Sequence, residues 1–173
     1  MSLKPQDIVL LLKLVAIGKK GWTFNKLAVE LSMSPSEVHS AAQRAVASGL
    51  AVKIDSVIRP NVRNLLEFLQ HGIQYAFVAE RGGLERGMPT GFAAPPLSNH
   101  FAKDLDIPPV WPDPEGSIRG EGFSPLYKSV PAAAKQDPLL YELLMLVDAI
   151  RGGRARERDI AKKELKKILD KYS

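Results

Sequence analysis

The sequence predicts a mainly α-helical protein with a small β-hairpin. Three observations carry that expectation. Apolar residues recur at helical spacing from Pro5 to Leu69 and again from Pro138 to Tyr172. Proline, Ser/Thr/Asn and glycine stand where helices begin and end. Two β-prone runs, Ala51–Ile54 and Val57–Arg59, flank the polar pair Asp55-Ser56 and are short enough for one hairpin.

A first helix is expected over Pro5–Ile17. Proline suits the first helical turn, where its missing N–H costs nothing, and Gly18 ends the run. Ile8, Leu11, Leu12 and Val15 form its stripe; Val9, Leu10 and Leu14 widen it, so more than one side is buried. Thr23 is a good N-cap for a second helix, with Leu27, Ala28 and Leu31 inward and Ser32-Met33-Ser34 as the break. Ser34-Pro35-Ser36-Glu37 reads as a capping box with proline at the first helical position. Val38, Ala41, Ala42 and Ala45 then give the third helix a face of small residues, and Gly49-Leu50 supplies a left-handed stop with a hydrophobic fold-back. Beyond the hairpin, Asn61 caps a further helix that stops at Gly72. The alternation of Ile73, Tyr75 and Phe77 with Gln74 and Ala76 predicts a strand.

Ten of the 13 prolines fall between Pro89 and Pro138, and glycines crowd the same stretch. The expected organisation is therefore an N-terminal domain over 1–72, a proline-rich segment over 73–137 that wraps over it, and a helical pair over 138–173. Phe92, Phe101, Trp111, Phe123 and Tyr127 give the middle segment more aromatic content than disorder carries. The apolar faces of the last two helices exceed what one short helix needs, so they pack on the N-terminal domain or form a homodimer.

The chain has 173 residues, 45% hydrophobic and 25% charged, an ordinary globular composition. It has no cysteine, which excludes disulfides, thiolate metal sites and cysteine nucleophiles. No apolar run is long enough for a membrane span. The opening Met1-Ser-Leu-Lys-Pro5 has no signal-peptide pattern, so a cytoplasmic location is expected. The net charge of +5 is unevenly spread: +4 over residues 1–60, −3 over 61–115 and +4 over 116–173. Such a balance permits a polyanionic partner without establishing one.

Two amphipathic helices, a three-residue turn and a third helix closed by Gly-Leu make a helix-turn-helix, and the hairpin makes it winged. The stretch Trp22-Thr-Phe-Asn-Lys-Leu-Ala-Val-Glu-Leu-Ser-Met-Ser-Pro-Ser-Glu-Val-His-Ser-Ala-Ala-Gln-Arg-Ala-Val-Ala-Ser-Gly-Leu50 resembles the bacterial winged helix-turn-helix transcriptional regulators of the MarR-like group. The resemblance covers roughly residues 5–60. It implies double-stranded DNA as partner and a role in transcription regulation. Ala79-Glu-Arg-Gly-Gly-Leu-Glu-Arg-Gly-Met-Pro-Thr90 and Gly153-Arg-Ala-Arg-Glu-Arg158 resemble a bacterial group known only as helix-turn-helix regulators, which assigns them no chemistry.

A helix fits the major groove, where base edges carry a distinguishable donor and acceptor pattern. With Val38, Ala42 and Ala45 inward, Ser36, His39, Ser40 and Gln43 point outward as DNA-contacting side chains. Lys19, Lys20, Lys26 and Arg44 are then placed to meet phosphates, with an internal tie of Arg44 to Glu37 or Glu30 as its other reading. Lys53-Ile-Asp-Ser-Val-Ile-Arg59 is short for a DNA-binding wing and includes Asp55. The stretch Arg81–Gly87 reads as a basic surface loop, with phosphate contact as the second reading. Arg151, Arg154, Arg156 and Arg158 interleave with Glu157 and Asp159, as in a solvated helix with local ion pairs or an added DNA or partner contact.

Nothing points to an enzyme. His39, His71 and His100 are scattered, and Asp104, Asp106, Asp113 and Glu115 lack a histidine at metal-ligand spacing. No cofactor or metal is expected. The leading function is DNA binding by a transcriptional regulator. The alternative is a protein-binding adaptor, an antitoxin-like partner using the proline-rich segment.

Overall fold

In the computed structural model, which describes residues 1–101 and 106–172, helix accounts for 57% of the chain. The expected helical emphasis holds, but the class is mixed α/β, because a three-stranded sheet joins the hairpin. Asp104, named among the acidic candidates, lies outside the described residues.

The N-terminal elements fall where their caps place them: α1 Pro5–Ile17, α2 Phe24–Leu31 and α3 Pro35–Ala47. The hairpin follows as β1 Ala51–Ile54 and β2 Val57–Pro60, and α4 spans Val62–His71. Asn61 caps α4 by accepting from the Asn64 N–H at 3.2 Å. The hairpin turn uses left-handed Asp55 and Ser56, φ 49° and 67°, the sense that matches the twist of paired strands.

The predicted strand over 73–77 is instead a short helix, α5 Ile73–Ala76. Only Ile73 of its residues is buried, and Tyr75 is 75% exposed. Among the described residues no strand pairs with this stretch, so its alternation has no sheet to join.

The proline-rich segment is not a long loop. It forms β3 Arg81–Pro89, β4 Pro109–Pro112 and β5 Ile118–Phe123, followed by α6 Val130–Gln136. β3 pairs antiparallel with both β4 and β5, and β4 pairs parallel with β5, so the three close on one another. Closure this tight requires glycine. A Cβ at Gly87 would lie 2.1 Å from the Trp111 carbonyl oxygen, and one at Gly120 2.1 Å from that of Pro108. The stretch read as a basic surface loop, Arg81–Gly87, is thus the pairing core of this sheet.

Two helices complete the chain: α7 Pro138–Gly152 and α8 Ala155–Tyr172. From Leu143 to Arg151 every residue of α7 is buried. It packs against α1, α4, α5, α6, α8 and the turn at Gly91–Ala93. The apolar surface that motivated a homodimer is therefore used inside the chain. α8 buries Ala161, Leu165 and Leu169 along one side and packs on α7 and α4.

Gly120→Ala should destabilise the protein by about 1–3 kcal/mol, because a backbone oxygen must move to admit the methyl group. Gly83→Ala, whose Cβ would meet nothing within 4 Å, should stay within about 0.5 kcal/mol of the parent. Urea denaturation of the two variants measures the contrast.

Candidate nucleic-acid interface

The outward face of α3 is set by local chemistry at both ends. The Ser34 hydroxyl accepts from the Glu37 N–H at 3.1 Å, and the Glu37 carboxylate accepts from the Ser34 N–H at 2.7 Å. Ser32 closes α2 in the left-handed region, φ 53°, and buried Met33 pins the turn to the core. At the far end Gly49, φ 80°, reverses the chain and the Leu50 N–H returns to the Ala45 carbonyl at 3.0 Å. Val38, Ala41, Ala42 and Ala45 are buried against α1 and α2. Ser36, His39 and Gln43 are consequently exposed, with Ser40 half-buried beside them. The His39 ring leans on Phe24 at 5.3 Å, and Phe24 meets Trp22 edge-on at 5.3 Å. His39 is thus held against α2.

Lys19 and Lys20, in the loop between α1 and α2, and Lys26 on α2 are exposed. None of the ion pairs among the described residues uses them. Arg44 differs, and its expected phosphate role is corrected. Its guanidinium clamps the fully buried Asp7 carboxylate at 2.8–3.1 Å through both Nε and Nη2. Only 12% of the Arg44 side chain is exposed. A buried carboxylate needs a paired cation, and Arg44 supplies it. Asp7 also accepts from the Lys4 N–H at the start of α1, so the pair fixes α3 to that helix end.

The hairpin offers little to a groove. Its register pairs Lys53 with Ile58 and Val52 with Arg59, so the two cations project from opposite faces.

One contact had no local signal. Tyr127, after β5, donates its hydroxyl to the Glu37 carboxylate. That bond, followed by the Ser34 N–H, holds Glu37 below the usual carboxylate range and pushes the Tyr127 hydroxyl up. The C-terminal half of the chain thereby braces the N-terminus of α3.

The other basic candidates are largely engaged within the chain. Arg81 pairs with Glu121 at 3.2 Å, donates to the Gly152 carbonyl at 2.6 Å and stacks over Phe123. Arg86 donates to the Gly116 carbonyl at 3.2 Å. Arg151 pairs with buried Asp148, Arg154 with Asp106, Arg156 lies over Phe101, and Arg158 donates to the Gly153 carbonyl. The expected solvated helix with ion pairs to Glu157 and Asp159 is corrected: among the described residues Arg151 pairs in the core, Arg154 pairs with a distant loop acid, and Arg156 and Arg158 meet a ring and a carbonyl. Asp113 is held below the usual carboxylate range by Lys135 and then by the Glu115 N–H. His71 and His100 are exposed, and among the described residues no group of three or more His, Asp or Glu is placed to hold a metal ion.

Comparison of the chain with protein-family models, with curated proteins and with solved structures gave no significant match. Among the described residues no helix is long and apolar enough to cross a membrane.

Arg44→Ala should cost about 3 kcal/mol of stability, because it strands the Asp7 charge in the core. An outward phosphate contact would leave thermal stability unchanged, so a calorimetric scan separates the two roles. The Glu37 bond carries a pH signature. A carboxylate held below its ordinary value stabilises the fold above that value and loses the contribution as pH falls through the lowered one. Tyr127→Phe should therefore be less stable than the parent at neutral pH, with the gap closing as the pH falls through the lowered Glu37 value. Urea titrations of both proteins at each pH test this.

Proposed function

We propose that the protein binds double-stranded DNA with α3 in the major groove and acts as a transcriptional regulator of the winged helix-turn-helix kind. The observation that carries this reading is the division of α3 into two faces. One is alanine-rich and buried; the other offers Ser36, His39 and Gln43 to solvent, with Ser40 half-buried beside them. Gln43, one turn beyond His39, has the amide needed for a bidentate bond to adenine. Lys19, Lys20 and Lys26 supply phosphate contacts around this helix. With Arg44 withdrawn to Asp7, only about three lysines remain. The salt slope should therefore be modest, near −3 in log units.

The adaptor reading finds less support. Trp111 and Phe123 of the middle segment are buried, and its large exposed apolar side chains among the described residues, Tyr75, Val78, Leu84 and Ile107, are scattered along the chain.

Fluorescence anisotropy with duplexes selected from a random pool tests the DNA reading. Gln43→Ala should lose about 1–3 kcal/mol of preference at one base pair. Lys26→Ala should weaken all duplexes alike and reduce the salt slope by about one unit. Affinity unchanged in both variants, with folding intact, would remove α3 as the reader.

A further inference from the structure

The outward face of α3 has two margins. His39 marks one, where its ring leans on Phe24 of α2. Glu37 and Arg44 mark the other, because about two helical turns separate them and they share one stripe. A major groove is bordered by a phosphate strand on each side, and phosphate contacts fix a reader's register. Lys19, Lys20 and Lys26 belong to α2 and the loop before it, so they serve the His39 margin. The second margin has lost Arg44 to Asp7, and it carries the Glu37 carboxylate, which repels phosphate.

The C-terminal half brings a cation to that second margin. Tyr127 bonds Glu37, and the Lys128 Nζ lies 5.7 Å from the centre of the Tyr127 ring. Glu37 is held low first by the Tyr127 bond, and the Lys128 charge adds to that effect. Buried Leu126, Ser129 and Val130 pin the backbone on either side of Lys128. Val130 begins α6, which packs on α2 and α7. The Lys128 side chain itself is exposed. None of the ion pairs among the described residues uses it, whereas Lys135 on the same segment is bound to Asp113.

We propose that Lys128 contacts a backbone phosphate on the Glu37–Arg44 margin of α3, in the place left by Arg44, and that Tyr127 is the residue that positions it. The contact rests on the DNA reading above. It extends that interface beyond α1–α4 and the hairpin into the C-terminal half of the chain, so that α3 is flanked by cations on both sides. The anchoring of Lys128 is what separates it from an ordinary surface lysine: its neighbours are buried, and its charge stands over a ring that is itself bonded to α3.

Fluorescence anisotropy with a selected and a scrambled duplex, over a series of salt concentrations, tests this. The parent's salt slope should be about one unit steeper than Lys19, Lys20 and Lys26 give by themselves. Lys128→Ala should weaken both duplexes alike, by about eightfold at about 0.1 M salt with the difference vanishing at about 1 M, and should lower the slope by about one unit. Lys128→Arg should keep the parent's slope. Tyr127→Phe keeps the charge but frees it, so it should weaken both duplexes by a smaller factor and add nothing to Lys128→Ala in the double variant. Lys163→Ala removes the same charge from the exposed side of α8, which packs on α7 and α4, and should leave affinity and slope unchanged. Lys128 and Lys163 are both exposed, so their variants should keep the parent's melting temperature. An unchanged slope in Lys128→Ala, or an equal fall in Lys163→Ala, would overturn the contact while Gln43→Ala still altered base preference. Additive losses in the double variant would overturn the role given to Tyr127. A parent that binds no duplex would overturn the DNA reading, and this contact with it.

Discussion

Helix α7 is the constraint on which the rest of the structure depends. Nine consecutive buried residues, Leu143–Arg151, demand neighbours on every side, and α1, α4, α5, α6, α8 and the turn at Gly91–Ala93 supply them. The one acid in that stretch, Asp148, then organises its surroundings. Its carboxylate accepts from Thr90 at 2.8 Å, from the Trp111 indole at 2.7 Å and from Arg151 at 2.8 Å. Burial pushes the Asp148 carboxyl up, and Arg151 and the two neutral donors oppose that push. Arg151 extends the network to the carbonyls of Phe77 and Ser124. A charge in the middle of an apolar helix is costly unless fully partnered, so its partners fix where the three-stranded sheet sits.

Polar groups also set the position of α3. Lys13, buried on α1, reaches Glu30 of α2 at 3.2 Å and the α7 N-cap Asp137 at 2.8 Å. Asp7 of the same helix holds Arg44. α1 therefore carries one cation and one anion inward, and each locks a different element. The exposed polar stripe of α3 owes its orientation to these bonds as much as to its alanines.

Local signals were legible where they act over a few residues. Proline at the first turn, the Ser34–Glu37 box, Asn61 and the Gly18, Gly49 and Gly72 stops placed α1 to α4 within a residue or two, because each works on its own backbone. Long-range partners were not legible. Nothing near Arg44 distinguishes a solvent-facing arginine from one 37 positions away from its carboxylate. Tyr127 likewise gives no sign that it will meet Glu37. The three-stranded sheet was missed because proline and glycine usually mark loops; here glycine allows strands to approach within a methyl group's width of one another. The apolar excess of α7 was read correctly as burial, but periodicity alone cannot tell a core from an interface.

The charge pattern acquires a different meaning in three dimensions. In sequence, two basic ends flank an acidic middle. The arginine-rich start of the C-terminal end is engaged by Asp148, Asp106, Phe101 and the Gly153 carbonyl, so little of its charge is free for a partner. Tyr172 near the end of α8 lines a cleft beside Lys19, Lys20 and Arg59, so the last helix meets the α1–α2 loop and the hairpin at one corner of the fold. Unpaired cations gathered at one place produce a local field that net charge alone does not describe. That field acts on whatever anion approaches the hairpin side of the α1–α2 loop.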